Sequence, residues 1–188
     1  HFSTDYVFDG KKLEPYEEED DRNPLNAYGR SKLIGEKIIQ ETALKFYIMR
    51  VQWVFGHAKR NFIESMLELS SNNSEIDVVN DQIGSPTSTA SISKAVVNLL
   101  HNLPAFGIYH FRTLNHCSWF EYATYIFESQ GLDIKVNPVS SKQFKRKASR
   151  PKNSVLNISK WIYSDLYTPP TWKSDVLNYL QQKTKEKI

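Results

Sequence analysis

Tyr28 and Lys32 stand four residues apart in Tyr28-Gly29-Arg30-Ser31-Lys32, and Ser3-Thr4-Asp5-Tyr6 lies upstream of them. Residues i and i+4 of a helix share a face one turn apart, so a Lys ammonium at that spacing sits beside the phenol. A phenol titrates near 10, and a neighbouring cation favours its anion; each pH unit of lowering corresponds to about 1.4 kcal/mol. A tyrosine brought toward neutrality can give and take a proton. A hydroxyl such as that of Thr4, at the C-terminal end of a neighbouring strand, would hold a carbonyl oxygen nearby, because open α/β sheets bind ligands at their strand C-termini. The pentapeptide alone is a weak signal in a chain with 10 tyrosines, since an exposed helix pair gives the same pattern.

That chemistry needs Thr4 at a strand end and Tyr28 on a helix. Residues 1–8 are aromatic and rich in β-formers, and they run into Asp9-Gly10, which reads as a strand closed by a turn. Residues 11–24 are polar, with two prolines and the acidic run 17–21, and read as a loop whose charges are solvated. Asn26 is a good N-cap for a helix to about residue 44. Residues 46–55 form one apolar, β-branched and aromatic run, as expected of a single buried strand of a parallel sheet. Further helices are expected over 61–71, 88–102, 118–130 and 171–183, and further strands over 76–79, 107–111 and 134–139. Ser118, Glu121 and Gly131 supply the capping box and stop of the third of those helices. Strands alternate with helices throughout, the signature of an α/β protein with parallel strands.

Composition excludes several classes. The chain has 188 residues and a net charge of +3, too mild for an obligate polyanion binder. The single Cys117 excludes an intrachain disulfide framework and is consistent with a reducing, cytoplasmic setting. Five histidines lack metal-ligand spacing, so no metal is expected. No run of 18 apolar residues occurs, so no transmembrane helix is expected. Only seven glycines are present, and none form a G-x-G-x-x-G or a P-loop cradle for phosphates.

The order of motifs adds specificity. Residues 3–10 (Ser-Thr-Asp-Tyr-Val-Phe-Asp-Gly) and 23–36, which include the Tyr28–Lys32 pair, resemble the extended short-chain dehydrogenase/reductase superfamily. Residues 50–56 (Arg-Val-Gln-Trp-Val-Phe-Gly) follow where that superfamily has its next strand. Residues 80–87 and 149–154 narrow the likeness to the dTDP-4-dehydrorhamnose reductase family. The five motifs stand in family order over residues 2–157, and the remainder matches in pattern only.

The resemblance implies a truncated Rossmann-like parallel sheet made of late strands, plus a small α/β substrate-binding domain. Residues 1–75 would belong to the first and 76–188 to the second, with interleaved elements. It implies NADPH or NADH as cofactor, a dTDP-4-keto-6-deoxysugar as substrate, no nucleic acid, no membrane, and a homodimer as an allowed assembly. Tyr28 would protonate the C4 oxygen as hydride arrives. Lys32 would lower the Tyr28 pKa and bind the nicotinamide ribose. Thr4 would donate to the substrate carbonyl and Asp5 would contact a sugar hydroxyl. Trp53 would pack on the deoxysugar, and the backbone at Phe2 would line the cofactor. Gln52 departs from the small residue that relatives usually carry.

Family members begin with a glycine-rich strand–turn–helix that holds the pyrophosphate. The chain opens at His1 inside an apolar run, so it reads as the back portion of such an enzyme, expected to be inactive alone. Two other readings stay open: a regulatory subunit of the same fold, and a nucleotide-sugar epimerase or dehydratase. A dehydratase would place an acidic pair directly after the Thr, whereas Tyr6 follows Asp5 here. The basic stretch Lys142, Lys145, Arg146, Lys147, Arg150 and Lys152 around Phe144 reads as a solvated loop or a diphosphate site, with Arg150 the bidentate candidate.

Overall fold

The computed structural model describes residues 1–144 and 148–185. The expected basic residues Lys145, Arg146 and Lys147 lie outside the described residues. The central sheet is parallel, ordered β1 (Phe2–Thr4), β2 (Tyr47–Val51), β7 (Gly107–His110). The register sets Ser3 opposite Arg50 and Arg50 opposite His110, so these three form one row across the sheet. β1 is shorter than its apolar run suggests. Residues Asp5–Val7 form a 3-10 turn, because the Thr4 hydroxyl accepts the Tyr6 N–H and caps it. The chain returns through α1 (Ala27–Thr42), which the Asn26 side chain starts by accepting the Gly29 N–H at 2.9 Å.

The expected single strand over 46–55 is two strands. β2 ends at Val51, and Trp53 turns the chain with a left-handed backbone (φ 44°), rare for a residue with a Cβ. β3 (Val54–Phe55) then leaves the sheet and pairs in parallel with β6 (Thr87–Ser88). Around this second region lie α2 (Phe62–Ser70), β4 (Glu75–Val79), β5 (Ile83–Gly84), α3 (Thr89–Asn102), β8 (Cys117–Ser118), α4 (Trp119–Ser129) and β9 (Lys135–Val139). β4 and β9 pair in parallel, and β5 and β8 antiparallel. α5 (Ser159–Tyr163) and α6 (Trp172–Lys185) close the chain.

Local sequence explains most of the ends. Asn61 and Ser88 cap α2 and α3, and α4 has the full Ser118–Glu121 capping box. Asp175 of α6 anchors the start of α3: its carboxylate accepts Ser88 N–H at 2.7 Å, Ser88 Oγ at 2.8 Å and Ser91 Oγ at 2.7 Å. The largest apolar core joins α2, α4 and α6 to β3, β4 and β8, through Ile63, Met66, Tyr122, Ile126 and Val176. A second core, with Trp161 at its centre, backs β2 and β7. Among the described residues no helix is long and apolar enough to cross a membrane, and no three His, Cys, Asp or Glu side chains are grouped as a metal site would need.

Candidate active site

α1 docks on β1 and the turn after it: Lys32 reaches the Phe2 carbonyl and Tyr28 the Tyr6 ring, while Thr4 and Asp5 bond to each other. Gly29 makes the approach possible, because a Cβ there would lie 2.1 Å from the Tyr6 carbonyl oxygen. Tyr28 is 52% exposed, with its ring edge-on to Tyr6 at 6.0 Å between centroids. Lys32 donates from Nζ to the Phe2 carbonyl at 3.2 Å, so the ammonium is held at the strand beside the phenol's helix face. Thr4 closes β1, and Val51, its register partner and the last residue of β2, is followed by Gln52 and Trp53. The C-terminal ends of two adjacent parallel strands therefore face the Tyr28 side of α1, the usual place for a ligand in an open α/β sheet.

Asp5 turns inward and is 2% exposed. Its Oδ1 accepts the Thr4 hydroxyl at 2.9 Å, while its Oδ2 is buried with no hydrogen-bond partner among the described residues. Burial pushes its pKa up to about 7, against the opposing effect of the Ser154 and Thr4 hydroxyls. Gln52 is equally buried. With its amide oxygen toward Ser85 it accepts the Ser85 N–H at 3.0 Å, and its NH₂ donates to the Ser154 carbonyl. Gln52 thereby pins the end of β2 to two of the motif segments, 80–87 and 149–154.

Trp53 stacks on Trp119 at 3.6 Å between centroids and 8° between planes. Gly84 leaves room for it, as a Cβ there would meet Trp53 Cε2 at 2.3 Å. Trp119, Phe62, Met66, Gln82, Phe144 and Arg150 line a cavity of about 410 Å³. Arg150 is thus set with the aromatic half, although the Asn26 side chain donates to the neighbouring Ser149 carbonyl at 2.9 Å and ties that segment to the start of α1. Asn26 therefore joins the two halves while capping the helix that carries Tyr28.

A second layer lies behind the site. Glu36 of α1 is fully buried and accepts Arg50 Nε at 2.8 Å and Nη2 at 2.7 Å, a bidentate pair. The Ser3 hydroxyl also donates to Glu36 Oε1. Arg50 donates onward to the Glu18 carbonyl at 3.0 Å and lies 3.1 Å from His110 Nε2. Burial, then Arg50, hold the His110 pKa well below its ordinary value. The acidic run is not wholly solvated as expected. Glu18 is 7% exposed and accepts the His110 N–H at 2.9 Å, and burial raises its pKa. Nothing in the sequence signals this layer beyond Glu36 standing four residues after Lys32.

Phe2 is exposed, the Tyr28 phenol is half-exposed, and the Lys32 ammonium is already bonded to a carbonyl.

A family model described as "RmlD substrate binding domain" matches residues 1–185. The spore coat polysaccharide biosynthesis protein SpsK of Bacillus subtilis is 41% identical over 184 residues, covering 98% of this chain and 64% of that protein. A dTDP-4-dehydrorhamnose reductase structure from Clostridium acetobutylicum superposes with a TM-score of 0.93 at 37% identity, covering 97% of this chain and 65% of that one. The corresponding Bacillus anthracis enzyme in complex with NADP gives 0.92 at 36% identity, covering 97% and 64%. The chain spans less than two thirds of the length of each.

Proposed function

The chain belongs to the RmlD substrate-binding domain family, and we propose that the whole protein reduces the 4-keto group of dTDP-4-dehydro-L-rhamnose with NADPH or NADH, giving dTDP-L-rhamnose. The observation that carries this is the Lys32 Nζ bond to the Phe2 carbonyl at 3.2 Å, which docks α1, the helix of Tyr28, on β1, the strand that Thr4 ends. Reductases of that name, one of them solved with NADP, have the same backbone over nearly all of this chain.

The nicotinamide, when bound, supplies the hydride. Tyr28 Oη gives its proton to the oxygen at C4 as negative charge develops there. Lys32 stabilises the resulting phenolate through space, one helical turn away, and holds the nicotinamide ribose. Thr4 steadies the keto oxygen once its hydroxyl turns from Asp5. Phe2 borders the cofactor. Residues 1–75 would carry this nicotinamide-facing part and 76–188 most of the sugar-nucleotide part. Asp5 would reach a sugar hydroxyl only after leaving its buried position. The Trp53–Trp119 stack and the cavity beside it suit the deoxysugar and nucleotide, with Arg150 toward the diphosphate. Tyr6, in edge contact with Tyr28, stands where a dehydratase would need a second acid, which favours reduction over dehydration.

The test is turnover by the whole protein with dTDP-4-dehydro-L-rhamnose and NADPH or NADH, read as loss of nicotinamide absorbance and appearance of dTDP-L-rhamnose. Turnover with either cofactor is expected. No turnover with both, together with co-purification of a second enzyme, would overturn the reading in favour of a regulatory subunit.

A further inference from the structure

The face of α1 that meets β1 and the 3-10 turn after it carries three contacts at consecutive turns. Gly29 abuts the Tyr6 carbonyl, Lys32 donates to the Phe2 carbonyl, and Glu36 accepts the Ser3 hydroxyl. Positions 29, 32 and 36 are spaced by three and four residues, so they form one stripe along the helix. One contact would leave the helix free to rotate or slide, whereas three in a stripe fix both its phase and its height. The last of them is a buried carboxylate held from two strands. Ser3 and Arg50 are register partners on β1 and β2, and both point at Glu36. Arg50 is held in turn by the Glu18 carbonyl and by His110 of β7. Arg22 Nη1 stands 3.7 Å from Glu36 Oε2 at the outer edge.

An ion pair is an uneconomical way to dock a helix, because desolvation offsets most of its attraction. It does supply direction. A bidentate carboxylate accepts in one plane, and a shift of about one methylene breaks the fork. Ser3 precedes Thr4 in β1, and Glu36 follows Lys32 by one turn, so the fork ties together the two elements that carry the reacting groups.

We infer that Glu36 is a positioning residue: clipped by Ser3 and Arg50, it sets the register of α1 on β1 so that Tyr28 and Lys32 meet the same substrate oxygen as Thr4. This rests on the proposed reduction. Glu36 touches neither substrate nor cofactor, and its effect passes through the helix. Loss of the clip should lower the rate of the chemical step and leave sugar-nucleotide binding, which belongs to the aromatic half, unchanged.

The test uses the whole protein with Ser3→Ala, which removes the β1 half of the clip and leaves the Glu36–Arg50 half, and Glu36→Asp, which keeps the charge and shortens its reach. Activity is expressed per folded molecule, with the folded fraction taken from circular dichroism. Each variant should lose about tenfold or more in kcat with KM for the dTDP-sugar unchanged. Ile126→Val in the apolar core is the matched control, destabilising with kcat retained. Parental kcat per folded molecule in Ser3→Ala, or equal changes in kcat and KM, would overturn the inference, and Ser3→Ala decides alone if Glu36→Asp does not fold. Tyr28→Phe separates the two levels. If it keeps its rate, the proposed reduction fails; if it loses its rate while Ser3→Ala does not, only the positioning role fails.

Discussion

Around β1 and α1 the buried contacts are directional: a carboxylate fork, a serine hydroxyl, a neutral histidine and a carboxyl with one oxygen unpaired. Around β4, β9 and α4 the buried contacts are rings and aliphatic chains, with Trp53 stacked on Trp119 and Phe62 tilted against Trp119. Apolar packing is non-directional and scales with area, so the second region tolerates shape-conserving changes. The ionic contacts of the first fail as a unit when one member goes. The division suits the proposed chemistry, in which proton transfer needs fixed geometry and a sugar nucleotide needs a shaped, partly apolar cavity.

The contrast can be broken from the ionic side first. Glu36→Ala leaves the Arg50 guanidinium buried without its partner and should cost about 3–5 kcal/mol in denaturant unfolding; a loss within that of a surface substitution would show that the fork is dispensable. Asp5→Asn works in the opposite direction. The Asp5 pKa is raised to about 7 in the folded protein from 3.8, so the unfolded chain binds fewer protons across that window. The stability contributed by protonated Asp5 is then lost as pH rises from about 4 through about 7. The variant should match the parent near pH 4 and exceed it by at most about 4 kcal/mol above pH 7. His110 is present in both proteins and cancels in that comparison. A gain that does not vary with pH would place the unfavourable charge elsewhere.

On the apolar side the effects are smaller. Trp119→Leu removes the stacked pair and should cost about 2 kcal/mol of stability, with a higher KM for the sugar nucleotide and kcat retained. A lowered kcat with unchanged KM would place Trp119 in the chemical step. Ile126→Val, in a fully buried position, should cost about 1 kcal/mol by thermal or chemical unfolding and leave turnover untouched.

These regions also differ in how far the sequence revealed them. Capping residues and periodicity located α1, α2, α3, α4 and the parallel strands, because Asn26, Asn61, Ser88 and Ser118 act within one turn of themselves. The Tyr28–Lys32 pair was legible for the same reason. The break after Val51 was not, since the left-handed turn falls on a tryptophan rather than a glycine and is held by stacking on a residue 66 positions away. The Glu36–Arg50 fork was also hidden. A glutamate in a helix normally faces water, and only the sheet register shows that this one lies over Ser3 and Arg50. Glu18 is hidden inside an acidic run whose composition is that of a solvated loop. That Asp5 turns inward was hidden as well, because the sequence carries no record of which way a strand-end carboxylate turns.

In the proposed keto-sugar reduction, everything turns on the Tyr28 phenol as proton donor. Its most direct test is kcat of the whole protein with dTDP-4-dehydro-L-rhamnose, compared between the parent and Tyr28→Phe. Tyr28 is half-exposed, so the melting temperature should not move, while kcat should fall by at least ~10²-fold. A rate close to that of the parent would contradict the account.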